Sequence, residues 1–183
     1  PKSVSEVRSA LSTLRAAGRP LAYDVETDAK NPLDARLRCV AFSNEKTAVV
    51  ISILSIDGST RTFSPKEEET VLETLRNFLR NPGVPLVGHN AGQYDRIVCE
   101  EQLGVTPKLS ADTLLMHLLA DNEMPHNLGF VGSRYTDFVE AWKADHTATQ
   151  ARTDEELHTY CAKDACVTAR VMRPLSAVIW KRE

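Results

Sequence analysis

The order of predicted strands and helices constrains the fold of this chain more than any other feature of its sequence. From residue 65 onward, helical patterns alternate with one short buried run, VPLVGHN at 84–90. Three strand-like runs come before that point, and they read LAYDVET, RLRCVAFSN and TAVVISIL. They are rich in β-branched and aromatic residues, and turn-forming residues separate them. Strands that precede a series of helices and strands predict an α/β fold with a mixed sheet.

Helix-capping signals bound the predicted helices. Ser64 stands before one long helical pattern and Thr153 before another, and a glutamate follows three positions later in each case. This capping box is typical of helix N-termini. Asp112 is predicted to cap a third helix, and Pro174 is expected to kink the last one. The helices predicted in this way cover residues 65–80, 113–122 and 154–172, and a weaker fourth strand is predicted at 60–64.

The turn after the first predicted strand contains no glycine, because it reads DAKNPLD at 28–34. A dinucleotide-binding fold needs a glycine-rich turn at that point. The order of elements instead suits the ribonuclease H-like architecture, a three-layer α/β fold in which helices flank a central mixed β-sheet. The 183 residues, of which 42% are hydrophobic, are enough for one sizeable core. We therefore expect a single domain over residues 1–183.

Composition excludes several function classes. The formal net charge is −3, so no global basic footprint for duplex DNA or an acidic membrane is present. No apolar run approaches the ~20 residues that cross a bilayer, and we expect no membrane association. The four cysteines form no pattern that suits zinc, and reduced thiols in a cytoplasm are the expectation. A site that carries metal ions could still attract nucleic acid through their charge.

Acidic residues recur at the ends of the predicted strands and on the last helix. Asp24 and Glu26 lie two positions apart on one strand, so their side chains share a face. Asp95 begins the helix after the buried strand, and Tyr160 and Asp164 share one face of the final helix. Four converging carboxylates would repel one another unless cations lay between them. This pattern predicts a site for two divalent metal ions, Mg²⁺ or Mn²⁺. Such ions take oxygen ligands and can promote the hydrolysis of phosphodiester bonds.

The order D-x-E, N-x-x-x-Y-D and Y-x-x-x-D resembles the three motifs of the DEDD 3′–5′ exonuclease superfamily, in its tyrosine-bearing branch. The motifs lie at residues 24–26, 90–95 and 160–164. The stretch from 112 to 143 is similar to the proofreading domain of phage-type family A DNA polymerases. Cellular family A members usually have two residues between the asparagine and the aromatic residue, whereas this chain has Ala91, Gly92 and Gln93. The resemblance covers residues 20–173 and implies a metal-dependent 3′–5′ exodeoxyribonuclease of proofreading type.

The resemblance also implies roles for the motif residues. Asp24, Glu26 and Asp164 would bind the first metal ion, and Asp24 would also bridge to the second. Asp95 would reach the second ion through water. Tyr160 would orient the attacking water, because a phenol with a pKa near 10 positions a water better than it removes a proton at neutral pH.

Substrate contacts are less sharply determined by the sequence. Asn90 would hold the terminal nucleotide, although a turn residue that caps a helix explains it as well. Thr27 and Tyr94 are candidates for contact with the 3′ end, the latter by stacking. His126 is either a substrate contact or a residue that packs its loop.

Three functions stay open at this stage. The partner is expected to be single-stranded DNA or a frayed DNA 3′ end, with a polymerase domain in the same or another chain as an alternative partner. An exoribonuclease of the ribonuclease D type keeps the chemistry and changes the substrate. A nucleic-acid-binding module without activity is the third, and it would be favoured by the loss of an acid, whereas all four are present together with Tyr160. A bacterial or phage-infected host cytoplasm is the expected location.

Overall fold

Five strands form one mixed sheet in the computed structural model, which describes residues 1–137 and 150–181. The strands are β1 (Leu21–Thr27), β2 (Leu37–Ser43), β3 (Ala48–Ser52), β4 (Leu86–Gly88) and β5 (Leu109–Asp112). Their order across the sheet is β3-β2-β1-β4-β5. β1 pairs antiparallel with β2, and β2 with β3, whereas β4 runs parallel to both β1 and β5. The predicted mixed sheet is therefore confirmed.

Six helices are described around this sheet. They are α1 (Val4–Ala16), α2 (Pro65–Arg80), α3 (Tyr94–Leu103), α4 (Thr113–Ala120), α5 (Leu128–Tyr135) and α6 (Asp154–Trp180). The capping box at Ser64 is formed as predicted. The second predicted capping box, at Thr153, is only half formed. The Thr153 side chain accepts from the Glu156 N–H, but the Glu156 carboxylate accepts from the Arg152 N–H instead of the Thr153 N–H. No helix in the described ranges is both long and apolar enough to cross a bilayer.

Strand β2 shows how the sheet separates the layers. Val40 and Phe42 are fully buried on one face, in the core formed with α1 and α2. Cys39 and Ala41 face the other way, in a smaller core formed with α6. Strand side chains alternate between the two faces of a sheet, so these two pairs show that β2 is apolar on both faces. The predicted three-layer, ribonuclease H-like α/β fold is confirmed.

The structure differs from the sequence-based predictions at three places. The run at 60–64 pairs after the turn at Asp57-Gly58, but only through one isolated bridge between Leu54 and Arg61, so it forms no full strand. Strand β5 was missed because LSAD has little strand propensity, and its conformation comes from pairing with β4. The last helix continues past Pro174 to Trp180, because Leu175 is still buried against α4 and α5.

Candidate active site

Strand β1 presents Asp24 and Glu26 on the face of the sheet that α6 covers. Their cross-strand neighbours on β2 are Ala41 and Cys39, whose side chains belong to the core beneath α6. Residues opposite one another in an antiparallel pair share a face. The alternation predicted from the sequence therefore places both carboxylates at the boundary between the sheet and α6.

Helix α6 brings Tyr160, Cys161 and Asp164 to the same boundary. Ligand atoms of Asp24, Glu26 and Cys161 all lie within 4.8 Å of one another. The Cys161 thiol also donates to the main-chain oxygen of Asp24, at 3.7 Å. Asp164, one turn from Tyr160, is only 4% exposed, and Tyr160 packs beside the small core of α4, α5 and α6. The tertiary structure thus joins the first and third sequence motifs.

Asp95 joins this group from the first turn of α3. Its Oδ1 accepts a hydrogen bond of 3.2 Å from the backbone N–H of Val25, the residue between Asp24 and Glu26. Burial of the carboxyl group, together with the negative charges of Asp112 and Asp164, raises the pKa of Asp95 to about 7. The shift arises mainly from burial, and the two neighbouring negative charges, which a cation at this position would offset, add to it.

Asn90 lies in the turn between β4 and α3, the segment that leads to Asp95. Its φ of 59° is in the left-handed region, where asparagine is one of the more tolerated residues. The side chain is exposed, and the backbone N–H donates to Asp112 Oδ1 at 2.9 Å. Asp112 was predicted only as the N-cap of α4, so its bond to this turn is a contact that the sequence did not reveal.

The hydroxyl groups of Thr27 and Tyr94 bond to each other at 2.5 Å. Both also reach the main-chain oxygen of Ala29, Thr27 at 3.0 Å and Tyr94 by a shorter contact. The end of β1 is in this way tied to the start of α3, next to Asp95. These two residues, expected near the 3′ end of a substrate, therefore lie at the edge of the acidic group.

His126 lies between α4 and α5, and its Nδ1 bonds to Nδ1 of His117 at 2.7 Å. His117 is 1% exposed and also contacts the rings of Phe130 and Tyr135 edge-on. Burial and the nearby His126 lower the pKa of His117 below its usual range. His126 thus makes a packing contact with α4 through His117, and its contact with substrate stays a prediction.

Cys161 had no predicted role, yet its thiol borders the carboxylates of β1. The available signal was its position in the Y-x-x-x-D motif, directly after Tyr160. Burial and the adjacent Cys39 thiol raise the pKa of Cys161 well above its usual range. The thiol is therefore neutral, and the oxygen atoms of the neighbouring carboxylates are the better ligands for a hard cation.

A family model described as 3′–5′ exonuclease, of the DNA polymerase A type, matches residues 2–180. The chain belongs to this family. The exonuclease is thus of the DEDD type, an enzyme that hydrolyses phosphodiester bonds, as its motifs predicted. No curated protein sequence matched the chain.

Solved structures share the fold of this exonuclease at low identity. Brucella melitensis NrnC is 22% identical, with a TM-score of 0.68 over 89% of this chain and 74% of that one. Escherichia coli RNase D, an exoribonuclease involved in structured RNA processing, is 19% identical, with a TM-score of 0.65 over 93% and 43%. Pol1 from M. smegmatis is 19% identical, with a TM-score of 0.64 over 96% and 26%. Such remote likenesses show the common fold alone.

The acidic group of the exonuclease fits divalent metal ions, the cofactor of its family. Asp24 and Glu26 offer carboxylate oxygen atoms within 4.8 Å of each other. Oxygen ligands of this kind are those that Mg²⁺ and Mn²⁺ prefer. One structure of B. melitensis NrnC contains bound Mg²⁺. The prediction of a divalent metal cofactor, Mg²⁺ or Mn²⁺, is confirmed.

Proposed function

We propose that this exonuclease removes nucleotides from DNA 3′ ends, as a proofreading-type 3′–5′ exodeoxyribonuclease. One observation carries the proposal: the Val25 N–H donates to Asp95, so the acid of α3 is held against the pair on β1 while Asp164 approaches from α6. Among the structures with the same fold, that of M. smegmatis Pol1 is in complex with a DNA primer-template and dNTP. That likeness supports DNA as the substrate.

The four acids are proposed to hold the metal ions in different combinations. Asp24, Glu26 and Asp164 would bind one metal ion, and Asp24 would share the second with Asp95 through water. When bound, two such ions would activate a water molecule for attack at neutral pH and would stabilise the leaving oxygen. Tyr160 would hold the attacking water by its hydroxyl group, because a phenol is a poor base at this pH.

Substrate contact is proposed for four residues at the margin of this group. Asn90 would face the terminal nucleotide with its exposed amide. Thr27 and Tyr94 would shape the pocket for the 3′ end through the hydroxyl network that they form with Ala29. His126 would reach the nucleic acid from the side of α4 and α5, braced by its bond to His117.

A second candidate substrate is RNA. The fold is shared with Escherichia coli RNase D, an exoribonuclease, and with B. melitensis NrnC, one structure of which contains pGG. The acids, the metal ions and Tyr160 would act on either backbone in the same way. RNA is distinguished from DNA by contacts to the 2′-hydroxyl group.

The setting of the enzyme is part of the proposal. We propose that residues 1–183 form one exonuclease domain, either free-standing or the proofreading domain of a larger polymerase. All four cysteines are free thiols, which suits a reducing cytoplasm. Its nucleic-acid partner would be single-stranded or frayed at the 3′ end, because the net charge of −3 offers no broad basic surface for a duplex.

The test is a time course on 5′-labelled single-stranded DNA, RNA of the same sequence and pGG, each with Mg²⁺, Mn²⁺ or EDTA. We expect a DNA ladder that shortens from the 3′ end, stops in EDTA and is lost in Asp24→Asn. Tyr160→Phe should slow cleavage by roughly 10²-fold, since positioning errors at the reacting water cost rates of this order. Glu155→Gln, an exposed acid on the same helix as Asp164, is the matched control.

The outcomes bear on the substrate, on the metal site and on the polarity of cleavage. Faster cleavage of RNA or of pGG than of DNA would overturn the DNA proposal in favour of an exoribonuclease. Full activity of Asp24→Asn would contradict the metal site, and cleavage from the 5′ end would contradict the polarity. A preference for a mismatched over a matched primer terminus would support proofreading.

A further inference from the structure

Asp112 makes more contacts than a helix cap requires. It ends β5 and pairs with Gly88 of β4, so it lies beside the turn that follows β4. Its Oδ1 accepts from the Leu114 N–H at 3.0 Å, which is the N-cap bond of α4. The same Oδ1 accepts from the Asn90 N–H at 2.9 Å, and Oδ2 accepts from the Ala91 N–H at 2.9 Å. Both oxygen atoms are thus engaged, and two of three donors belong to another segment.

The turn that receives these bonds has a conformation that needs support. Asn90 has a φ of 59°, which costs a non-glycine residue free energy because Cβ approaches the carbonyl oxygen. Two consecutive N–H groups in such a turn form a concave pair that suits an anion. The Asp112 carboxylate fills this position, and charge-assisted hydrogen bonds are about twice as strong as neutral ones.

Thr113, the next residue, binds the same turn from the other side. Its hydroxyl group is 3.2 Å from the Gly88 carbonyl oxygen and 2.8 Å from Nδ1 of His89. The junction of β5 and α4 therefore binds residues 88–91 through two adjacent side chains. Helix α3 begins at Tyr94, directly after this turn, and Asp95 follows it. The path of the turn sets where Asn90 and Asp95 lie.

We propose that Asp112 is a positioning residue of the exonuclease, which holds the turn at 89–91 so that Asn90 and Asp95 face the acids of β1. The proposal rests on the proposed function and deepens it. Asp112 does not touch the reacting atoms in this scheme. It acts through two backbone N–H groups, by fixing the segment that connects the sheet to Asp95.

An isosteric substitution separates this role from helix capping. Asparagine, aspartate and serine are about equally good N-caps. Asp112→Asn therefore keeps the cap of α4, but its NH₂ group replaces one of the two acceptors that bind the turn. Asp112→Ser keeps a cap with a single, shorter oxygen. Asp121→Asn, at the other end of α4, removes one negative charge without touching the turn and is the matched control for net charge.

The experiment compares wild type, Asp112→Asn, Asp112→Ser and Asp121→Asn. It measures amide hydrogen exchange by NMR and the release of single nucleotides from whichever of the DNA, RNA and pGG substrates the wild type cleaves fastest. In Asp112→Asn and Asp112→Ser we expect the Ala91 amide, whose acceptor is Oδ2, to exchange about tenfold faster or more, because it loses its bond to a charged group. The Asn90 amide, which shares Oδ1 with the cap, should be affected less in Asp112→Asn than in Asp112→Ser. The Leu114 amide should keep its wild-type exchange rate. We expect kcat to fall by about tenfold or more in both variants, and Asp121→Asn to behave as wild type.

Each result bears on a different step. Faster exchange at 90 and 91 with wild-type kcat would overturn the positioning role, as would wild-type exchange in both variants. A lower kcat that Asp121→Asn shares would assign the effect to charge and would also overturn it. An inactive wild type would remove the proposed function and the catalytic consequence with it, whereas the exchange rates would still decide whether Asp112 holds the turn.

Discussion

Gly88 allows the closest approach in the segment that leads to Asp95. A Cβ built at position 88 would overlap the Cβ of Ala91, and the next nearest atoms, Ala91 Cα and Tyr23 Cε1, lie at an ordinary 3.6 Å. The conflict in Gly88→Ala therefore arises from one methyl group. Relief requires the turn at 89–91 to move, which would also break its bonds to Asp112. Overpacking of this kind costs ~1–3 kcal/mol, and we expect the upper end because both partners are buried backbone-attached atoms.

A double-mutant cycle tests this reasoning through the free energy of unfolding in urea. Ala91→Gly removes the overlapping atom, so we expect Gly88→Ala/Ala91→Gly to be more stable than Gly88→Ala alone. The coupling free energy should exceed ~1 kcal/mol, well above the ~0.5 kcal/mol within which independent sites add. Gly92→Ala is the matched control, because a Cβ there meets no atom within 4 Å. Additive effects of the two substitutions would refute the steric explanation.

Two further predictions concern buried polar groups near the same acids. In EDTA, the raised pKa of Asp95, about 7 against 3.8, means that the folded state binds this proton more tightly than the unfolded state. The resulting stability is complete below pH ~4 and is lost as pH rises to ~7, by up to about 4 kcal/mol. Urea unfolding of wild type and Asp95→Asn across that range should show the loss in wild type alone, and equal slopes would contradict it. The Tyr23 hydroxyl is buried and has no hydrogen-bond partner among the described residues. We expect Tyr23→Phe to raise the free energy of unfolding by ~1 kcal/mol, and a decrease would show that the hydroxyl is bonded after all.

Local signals in the sequence were sufficient for most elements of the fold. The apolar runs of β1 and β2 and the capping box at Ser64 depend on a few neighbouring residues, so they can be recognised directly in the sequence. Elements that depend on distant partners were misjudged. Strand β5 exists because β4 offers it hydrogen bonds, and α6 passes Pro174 because packing of the following turn offsets the lost backbone bond.

The candidate site divides in the same way. Asp24, Glu26, Asp95, Tyr160 and Asp164 could be named from sequence because their spacing and order match motifs of known chemistry. The Cys161 thiol beside the β1 carboxylates was missed, because its position within the third motif does not show how α6 packs against β1. The same holds for the hydroxyl network of Thr27 and Tyr94, whose partners lie 67 positions apart in the chain.

The sequence by itself determined which residues are the candidates for the chemistry, the order of most strands and helices, and the class of fold. Those properties follow from residue type and from periodicity, which need no knowledge of distant contacts. Only the tertiary structure decided which groups hold the acids in place. The bond from Val25 to Asp95 spans 70 positions, and those from Asn90 and Ala91 to Asp112 span 22 and 21. Nearly every residue has a backbone N–H, so the residue type does not indicate which N–H binds a particular carboxylate.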